Sequence, residues 1–342
     1  MAELGVVNAP PEQSTSSVGH RQGVDVLAIL TRWSLVLAWG LLTVAFGIYE
    51  PSSFLTGGNF ESIFGSQAVL VVLTLGLLVP LTAGDYDLSI GGVLSLAGMI
   101  VAELNVYHHW PVGLAALLAI AIGAAIGAAN GAITLFFDID PFIVTLGTGT
   151  LASGVTLWIS ASTTVTGVSN SLVNAVVETR FLNIPIEFYY GLAVCIACWI
   201  VFEFTPVGRR LLFAGRGRVV ARLSGLHVAR LRFGALVASA ALAALAGILL
   251  TGTSGAADPS AGSSLLLPAF AAAFFGATAF YPGRFNPWGS FVAVYFLTTG
   301  ITGLALAGVA TFVQDLFYGA ALILAVVLAR VMRRRQPGQR RV

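Results

Sequence analysis

The sequence predicts an all-α polytopic membrane protein with about ten transmembrane helices. Hydrophobic residues make up 57% of the 342 residues and charged residues only 9%, against about 25% charged residues in an ordinary soluble domain. The mean hydropathy is +0.90, and several apolar runs approach or exceed the roughly 20 residues that cross about 30 Å of hydrocarbon. Because lipid offers no hydrogen bonds to the backbone, these runs are predicted to be helices.

Ten apolar runs are predicted to span the membrane in succession. They are residues 33–49, 66–83, 88–104, 112–137, 141–160, 188–204, 233–252, 265–281, 288–307 and 312–330. Residues 1–24 lack apolar periodicity and the h-region of a signal peptide, so they are predicted to be a disordered cytoplasmic tail that stays on the chain. Residues 25–332 then form the transmembrane domain, and residues 333–342 form a basic cytoplasmic tail.

The arginines predict the orientation of these spans. With the N-terminus inside, 16 of the 17 arginines fall in the cytoplasm and only Arg180 falls outside. This asymmetry is the positive-inside rule, and a miscounted span would scramble it. Both termini are therefore predicted to be cytoplasmic, with a re-entrant segment in place of one helix pair as the alternative.

Several chemistries are excluded by residues that the chain lacks or buries. It contains no lysine, which a phosphate-binding loop and a Schiff base both need. Cys195 and Cys198 lie in an apolar run where thiols pack as small hydrophobes, and His108 and His109 adjoin Trp110 as in an interfacial aromatic belt. The sequence therefore predicts no enzyme activity, no catalytic residue, no cofactor or metal bound by this chain, and no nucleic-acid partner.

A polar segment, GDYDLSIGG at residues 84–92, interrupts a long and nearly uncharged stretch. Asp87 is predicted at the N-cap of the following helix, where it would accept a hydrogen bond from the N–H of Ser89 or Ile90. An ionic contact with the arginine-rich loop, or a part in an inner gate, is predicted for Asp85. Asp85, Asp87 and Ser89 thus form a predicted helix break or gate. The alternative is the ion site of an ion-coupled transporter.

The longest predicted inner loop, residues 205–232, contains seven arginines. Within it residues 218–226, RVVARLSGL, have the amphipathic pattern of one short helix, bracketed by Gly215, Gly217 and Gly225. Two interpretations are open: a helix that lies on anionic lipid, or a docking helix for a cytosolic partner.

Glycines in the fourth predicted span favour close helix packing. Gly123, Gly127 and Gly131 form two overlapping GxxxG patterns, which let helices approach closely in lipid. Asn130 lies between them and is predicted to donate a hydrogen bond across that contact.

Hydroxyl groups follow one face of the fifth predicted span. Thr145, Thr148, Ala152 and Thr156 have helical spacing, so their small side chains share a face. Two interpretations are open: packing against another helix, or a path lined by Phe142 and the three threonines, whose weak and exchangeable hydrogen bonds would suit a polyol in transit.

The predicted outer loop, residues 161–187, contains Arg180, the one cation on that face. Either it is a solvated side chain near Glu178, or it pairs with a carboxylate on a receptor protein that delivers substrate. Arg180 is therefore the candidate docking residue.

Four segments in register resemble the permease subunit of ribose-type bacterial ABC importers. They are GDYDLSIGGVLSLAG, GAANGAITLFFDIDPFIVTLGTGTLASGVTLWIS, GRRLLFAGRGRVVARLSGLHVARLR and ALAALAGILLTGTSGAADPSAG, and the resemblance runs from about residue 60 to residue 330. In that family a transmembrane dimer is driven by two cytosolic ATP-binding subunits, which use ATP and Mg²⁺, and is fed by an extracytoplasmic solute-binding protein. The resemblance implies that the coupling helix lies in residues 205–232, with contact residues Gly215, Arg218, Ala221, Arg222, Ser224 and Gly225.

The resemblance also implies a function and a location. The chain would carry a monosaccharide or related polyol across the bacterial inner membrane by alternating access, in contact with membrane lipid and with a second copy or a paralogue. One alternative keeps this architecture but imports a nucleoside, a furanone signal or a branched-chain amino acid. The other is the ion-coupled transporter that uses Asp85 and Asp87.

Overall fold

The computed structural model describes residues 26–335, which are almost entirely helical. The helices are α1 (Val26–Tyr49), α2 (Pro51–Phe54), α3 (Gly57–Gly65), α4 (Ala68–Ala83), α5 (Ile90–Val106), α6 (Val112–Phe136), α7 (Pro141–Ile159), α8 (Asn170–Val173), α9 (Ile186–Phe204), α10 (Pro206–Arg216), α11 (Arg218–Leu223), α12 (Val228–Ser254), α13 (Ala261–Gly276), α14 (Pro287–Leu306) and α15 (Phe312–Arg335). The predicted all-α class is confirmed. Of the two predicted tails, residues 1–24 and 336–342 lie outside the described residues, and residues 333–335 belong to α15.

Eight helical segments in the described part of the chain are long and apolar enough to cross a membrane, and α5 and α13 are shorter apolar helices. Together they coincide with the ten predicted spans. The boundaries of α13 were the least accurately predicted. It begins early because a polar turn precedes it, in which Asp258 Oδ1 accepts hydrogen bonds from Ser260 N (2.8 Å) and Oγ (2.7 Å). These bonds hold the pKa of Asp258 below its usual value.

Glycines bring α5 into backbone contact with three neighbouring helices. A β-carbon on Gly92 would lie 2.2 Å from Gly149 O of α7, and one on Gly262 of α13 would lie 1.9 Å from Gly91 O. On the third side, a β-carbon on Gly247 of α12 would lie 2.1 Å from a backbone oxygen of α5. Because side chains would not fit at these points, the helices meet backbone to backbone at the centre of the bundle.

The predicted GxxxG packing of α6 is confirmed, and its partner is α12. A β-carbon on Gly127 would lie 2.6 Å from Leu236 O, and one on Gly123 would lie 2.7 Å from Ala244 Cβ. Since α12 also packs against α4 and α5, it is the helix around which the others are arranged.

The arginine-rich segment, residues 205–232, is helical almost throughout, whereas the sequence predicts one short helix there. α10 begins after Thr205, whose side chain accepts a hydrogen bond from Gly208 N at 3.3 Å, and Pro206 occupies its first position. A proline is tolerated at that point because the first amide of a helix has no helical partner. The single-helix prediction is wrong because this start signal outweighs the weak apolar pattern that follows.

The predicted amphipathic helix is present as α11, but it ends at Leu223 because Gly225 has φ +80° and turns the chain. α12 then begins at Val228, so Arg230 and Arg232 belong to a long apolar helix rather than to a loop. We call the end of the bundle formed by α10, α11 and residues 84–89 the arginine-rich end.

The opposite end carries short strands between the helices. β1 (Val165–Thr166) pairs antiparallel with β4 (Ala256–Ala257), and β2 (Arg180–Phe181) pairs antiparallel with β3 (Ile184–Pro185). α8 and a π-helical turn at Asn174–Glu178 lie between them. The predicted outer loop is therefore partly ordered into local structure.

Candidate functional site

The break between α4 and α5 is made by a glycine. Gly84 has φ +84°, a conformation that glycine adopts without strain, and Asp85 N donates to Pro80 O at 2.9 Å, which closes the helix end. Pro80 lies inside α4, which continues to Ala83. The reversal at Gly84 turns the next side chain towards α11 and α12.

Asp85 is held by two arginines at the arginine-rich end. Arg232 Nε lies 2.7 Å from Asp85 Oδ2, and Arg218 Nη2 lies 2.5 Å from Asp85 Oδ1. Asp85 is fully buried and the Arg232 side chain is 6% exposed, whereas that of Arg218 is 38% exposed. Arg218 Nη2 also donates to Gly84 O at 2.7 Å. The predicted ionic contact is therefore present, and it ties α11 and α12 to the end of α4.

Asp87 makes the predicted hydrogen bond, but from a different position. Its Oδ1 accepts from Ser89 N at 3.0 Å and from Ser89 Oγ at 2.5 Å. Since α5 begins at Ile90, the N-cap is Ser89, and the prediction that Asp87 occupies it is wrong. Asn130 Nδ2 donates to Ser89 Oγ at 3.0 Å, so Asn130 bonds to the start of α5 and not across the α6–α12 contact as predicted.

The threonine stripe of α7 faces α5. Thr145 Oγ1 accepts a hydrogen bond from Leu88 N at 3.0 Å and donates to Pro141 O at 2.8 Å. Thr145 and Thr156 are fully buried, Thr148 is half-buried and Phe142 is exposed. The geometry therefore favours the packing interpretation for Thr145 and Thr156.

The predicted coupling residues lie where α10 and α11 meet the bundle. A β-carbon on Gly215 would lie 2.0 Å from Thr82 O, so the end of α10 touches α4 directly. Ala221 is buried in a small apolar cluster with Ala214 and Val228, which seats α11 on the bundle. Arg222, Ser224 and Gly225 are exposed.

The outward face of α11 is apolar. Val219, Val220 and Leu223 are 70%, 58% and 85% exposed. These residues lie beside the predicted coupling residues on α11, and the amphipathic pattern of residues 218–226 is the signal that identifies them. Arg232 is not among the predicted site residues, because the sequence places it in a loop, whereas it lies in α12.

Arg180, the candidate docking residue, lies at the opposite end in β2. Its Nη1 is 2.7 Å from Glu61 Oε2, and the two side chains are 50% and 40% exposed. It therefore pairs within the chain with Glu61 of α3, a partner that the sequence did not predict. A further unpredicted pair joins Arg284 Nη2 to Glu203 Oε1 at 2.6 Å.

Comparison with known proteins connects this geometry to a family. The family model described as "branched-chain amino acid transport system / permease component" matches residues 59–326. The D-allose transport system permease protein of Escherichia coli K12 is 31% identical over 292 residues, 85% of this chain and 89% of that protein. The ribose import permease protein of Bacillus subtilis 168 is 32% identical over 291 residues, 85% of this chain and 90% of that protein.

A third relative is the autoinducer 2 import system permease protein of Salmonella typhimurium LT2, 27% identical over 303 residues, 86% of this chain and 90% of that protein. No solved structure gives a significant match. The family model covers most of the chain, including every element of the arginine-rich end. The resemblance to ribose-type permeases is thereby confirmed: this chain belongs to the family of branched-chain amino acid transport system permease components, as a multi-pass, non-enzymatic permease subunit of an ABC importer in the inner membrane.

Proposed function

We propose that this chain moves a monosaccharide or related polyol inward by alternating access, as one half of a permease dimer with a second copy or a paralogue. Two cytosolic ATP-binding subunits, which use ATP and Mg²⁺, would supply the energy, and an extracytoplasmic solute-binding protein would deliver the solute. The observation that carries the proposal is the link from the exposed helix α11, through Arg218 and Asp85, to the buried break between α4 and α5.

The arginine-rich end faces the cytoplasm in this proposal. The arginines of α10, α11 and the first turns of α12 support that orientation through the positive-inside rule. The ATP-binding subunit would then meet α11, whose apolar Val219, Val220 and Leu223 point outward. An exposed apolar patch of this kind is typical of a docking surface.

We call Asp85 and its two arginines, Arg218 and Arg232, the Asp85 clamp. This clamp suits a coupling element because its ion pairs hold α11 and α12 to the end of α4. Arg232 holds Asp85 in a buried pair whose loss typically costs about 3–5 kcal/mol, and Arg218 joins α11 to the same carboxylate and to Gly84 O. A push on α11 by the ATP-binding subunit would therefore move Arg218, Asp85 and the attached helix ends together. In this way Asp85 serves as the link to an inner gate at residues 84–89.

The solute path and the receptor contact are proposed from exposure. Phe142 and Thr148 of α7 are the members of the predicted path that are not buried in the α5–α7 contact, so we assign them to the path, with Thr145 and Thr156 holding α7 in position.

At the opposite end, the exposed pair of Arg180 and Glu61 presents both charges to the solute-binding protein.

The cargo is proposed from the relatives, whose names specify D-allose, ribose and autoinducer 2. The family description names branched-chain amino acids instead, so an amino acid or a nucleoside is the alternative cargo. Measuring which of these ligands bind to the solute-binding protein that operates with this chain decides between them.

The ion-coupled alternative loses support, because two arginines already neutralise Asp85.

Co-purification with the cytosolic ATP-binding subunit tests the docking surface. Leu223→Glu places a charge in the apolar face of α11, and we expect it to abolish recovery of that subunit from detergent extracts. Leu182→Glu, at an equally exposed position at the opposite end, is the matched control and should leave recovery unchanged. Normal recovery with Leu223→Glu, or uptake that survives ATP depletion and collapses with a protonophore, would contradict the proposal.

A further inference from the structure

A groove of about 400 Å³ lies between α9 and α12. Both helices pack on α4, and Val79 of α4 contributes to the lining of the groove. At the arginine-rich end α10 closes the groove with Val207 and Leu211. We call this feature the α9–α12 groove. The proposed import function assigns no role to it.

Small residues keep the α9–α12 groove open. On its α12 side the lining includes Gly234 and Ala238, which are four positions apart and so share one face of the helix. A β-carbon on Gly234 would meet no described atom within 4 Å outside the adjacent turns of α12. Ala197 of α9 lines the other side, and both Ala197 and Gly234 are exposed. The described part of the chain therefore leaves this space unfilled.

The depth and chemistry of the groove match a hydrocarbon chain. α4, α9 and α12 belong to segments that are long and apolar enough to cross a membrane, so the groove lies largely at the depth of the hydrocarbon. It follows α12 from Arg230 to Leu242, about 18 Å at 1.5 Å per residue. One leaflet is half of the roughly 30 Å hydrocarbon thickness. The groove is therefore about as long as one leaflet is deep.

The same dimensions argue against a protein segment in the groove. A volume of about 400 Å³ spread over that length makes a channel narrower than a helix with its side chains, which is about 10–12 Å across. Backbone that is not helical would bring unpaired N–H and C=O groups against an apolar wall. An extended acyl chain has neither problem, because it is thin and carries no hydrogen-bonding groups.

The charge at one end of the groove selects the headgroup. Arg230 is the one charged residue of the lining. It is exposed, and it forms no ion pair within the described residues. Arg209 and Arg210 of α10, at the same end, are also exposed and have no described ion pair. A guanidinium binds phosphate oxygens in a bidentate manner, so a phosphate attached to an acyl chain fits both parts of the groove.

We propose that the α9–α12 groove binds one anionic phospholipid, with an acyl chain along α12 and the headgroup phosphate at Arg230. Basic pockets between transmembrane helices are known to hold anionic headgroups. The lipid fills the space between α9 and α12 and stabilises the arginine-rich end from the side of the membrane. This inference does not depend on the cargo or on the energy source of the proposed import function.

Native mass spectrometry of the purified full-length chain tests the proposal. Dioleoyl phosphatidylglycerol and dioleoyl phosphatidylcholine, which share their acyl chains and differ in net charge, are titrated separately. We expect one saturable adduct, with an apparent affinity about fivefold higher for phosphatidylglycerol, the contribution of one arginine near an anionic membrane surface. Phosphatidylglycerol should also raise the melting temperature, because it binds the folded state. Inorganic phosphate should leave the melting temperature unchanged.

Variants of the wall and of the charged end separate the two parts of the site. Gly234→Leu fills the groove, so we expect it to lose the adduct with both lipids. Its melting temperature without lipid should not fall, since the position is open and leucine favours a helix more than glycine does. Ala197→Leu fills the groove from α9 and keeps the test valid if Gly234→Leu does not fold.

Arg230→Gln should retain the adduct and bind the two lipids with equal affinity. Arg330→Gln is the matched control. It removes an exposed arginine of α15 that lies outside the groove lining and has no described ion pair, and it should keep the preference for phosphatidylglycerol.

Four results would overturn the proposal. One is a lipid adduct that persists in both groove-filling variants, and another is equal affinity of the unmodified chain for the two lipids. The third is a rise in melting temperature with inorganic phosphate as large as that with phosphatidylglycerol, which would assign Arg230 to a soluble anion. The fourth is a dimer mass that Gly234→Leu converts to a monomer mass while lipid binding is unchanged, which would assign the groove to a second copy of the chain.

Discussion

Arg232 donates two parallel hydrogen bonds to Asp85, from Nε to Oδ2 at 2.7 Å and from Nη2 to Oδ1 at 3.0 Å. This side-on geometry matches the planar guanidinium to the carboxylate. It joins α12, the most central helix, to the first residue after the α4 turn. Arg218 shares the same carboxylate from the exposed side, so one buried acid serves a structural arginine and an accessible one.

The two arginines should differ in what they contribute. Arg232→Met should destabilise the chain by about 3–5 kcal/mol, because it breaks a buried pair. Arg218→Met should cost about 0–1 kcal/mol, since Arg232 still holds Asp85 and the lost pair is partly solvated. Chemical denaturation in detergent measures both. In the reconstituted importer, Arg218→Met should nonetheless reduce ATP-driven uptake. Equal losses of stability would show that the division between the two is wrong.

Gly215 should not tolerate a side chain. A β-carbon there would lie 2.0 Å from Thr82 O, so Gly215→Ala should push α10 off α4 and destabilise the chain by about 1–3 kcal/mol. Gly234→Ala is the control, because among the described residues no atom outside the adjacent turns of α12 lies within 4 Å of a β-carbon at that position. Limited proteolysis of the arginine-rich end reports the displacement, and equal cleavage rates in the two variants would count against it.

Thr145 and Thr148 should have separate roles. Thr145→Val removes the acceptor for Leu88 N, and leaving that amide unpaired should cost about 1–3 kcal/mol of stability. Among the described residues, Thr148 Oγ1 bonds only to its own helix, at Thr145 O, so Thr148→Val should leave the melting temperature unchanged and alter uptake. If Thr148→Val transports normally, Thr148 does not belong to the path.

The pair of Arg180 and Glu61 separates surface stability from receptor docking. Arg180→Glu should change stability by less than about 1 kcal/mol, as is usual for an exposed pair, and should weaken stimulation by the solute-binding protein. The double exchange Arg180→Glu with Glu61→Arg rebuilds an internal pair but reverses the charges that a partner meets. Full recovery of stimulation by the solute-binding protein in the double variant would mean that docking needs the ion pair itself. It would also mean that docking does not depend on which of the two positions carries the positive charge.

Much of the fold is predictable from patterns that extend over many residues of the sequence. Ten apolar stretches and their separation locate the helices, and the regular glycines of α6 identify a contact face. The ionic contact of Asp85 was predictable because the predicted orientation puts residues 84–92 on the same side of the membrane as the arginine-rich segment, residues 205–232. These inferences depend on composition and periodicity, which local folding does not change.

Other features depend on contacts between residues that are far apart in the sequence. Arg232 seemed to be a loop residue until α12 proved to begin at Val228. Ser239 of α12, whose side chain bonds the Asp87 carboxylate, gave no signal, since one hydroxyl in an alanine-rich helix is ordinarily bonded to its own backbone. The pair of Arg180 and Glu61 joins residues 119 positions apart. Only the assembled structure brings such partners together.

The backbone contacts around α5 determine where this importer is able to bend. Shear motion needs packed helices to slide past one another, and sliding here would drive the backbone of α5 into the backbones of α7, α12 and α13 where their glycines meet. These four helices must therefore travel as a single rigid block. In the proposed dimer, alternation between inward and outward access would then be a change in how two such blocks tilt against each other, with the hinge at the boundary between subunits.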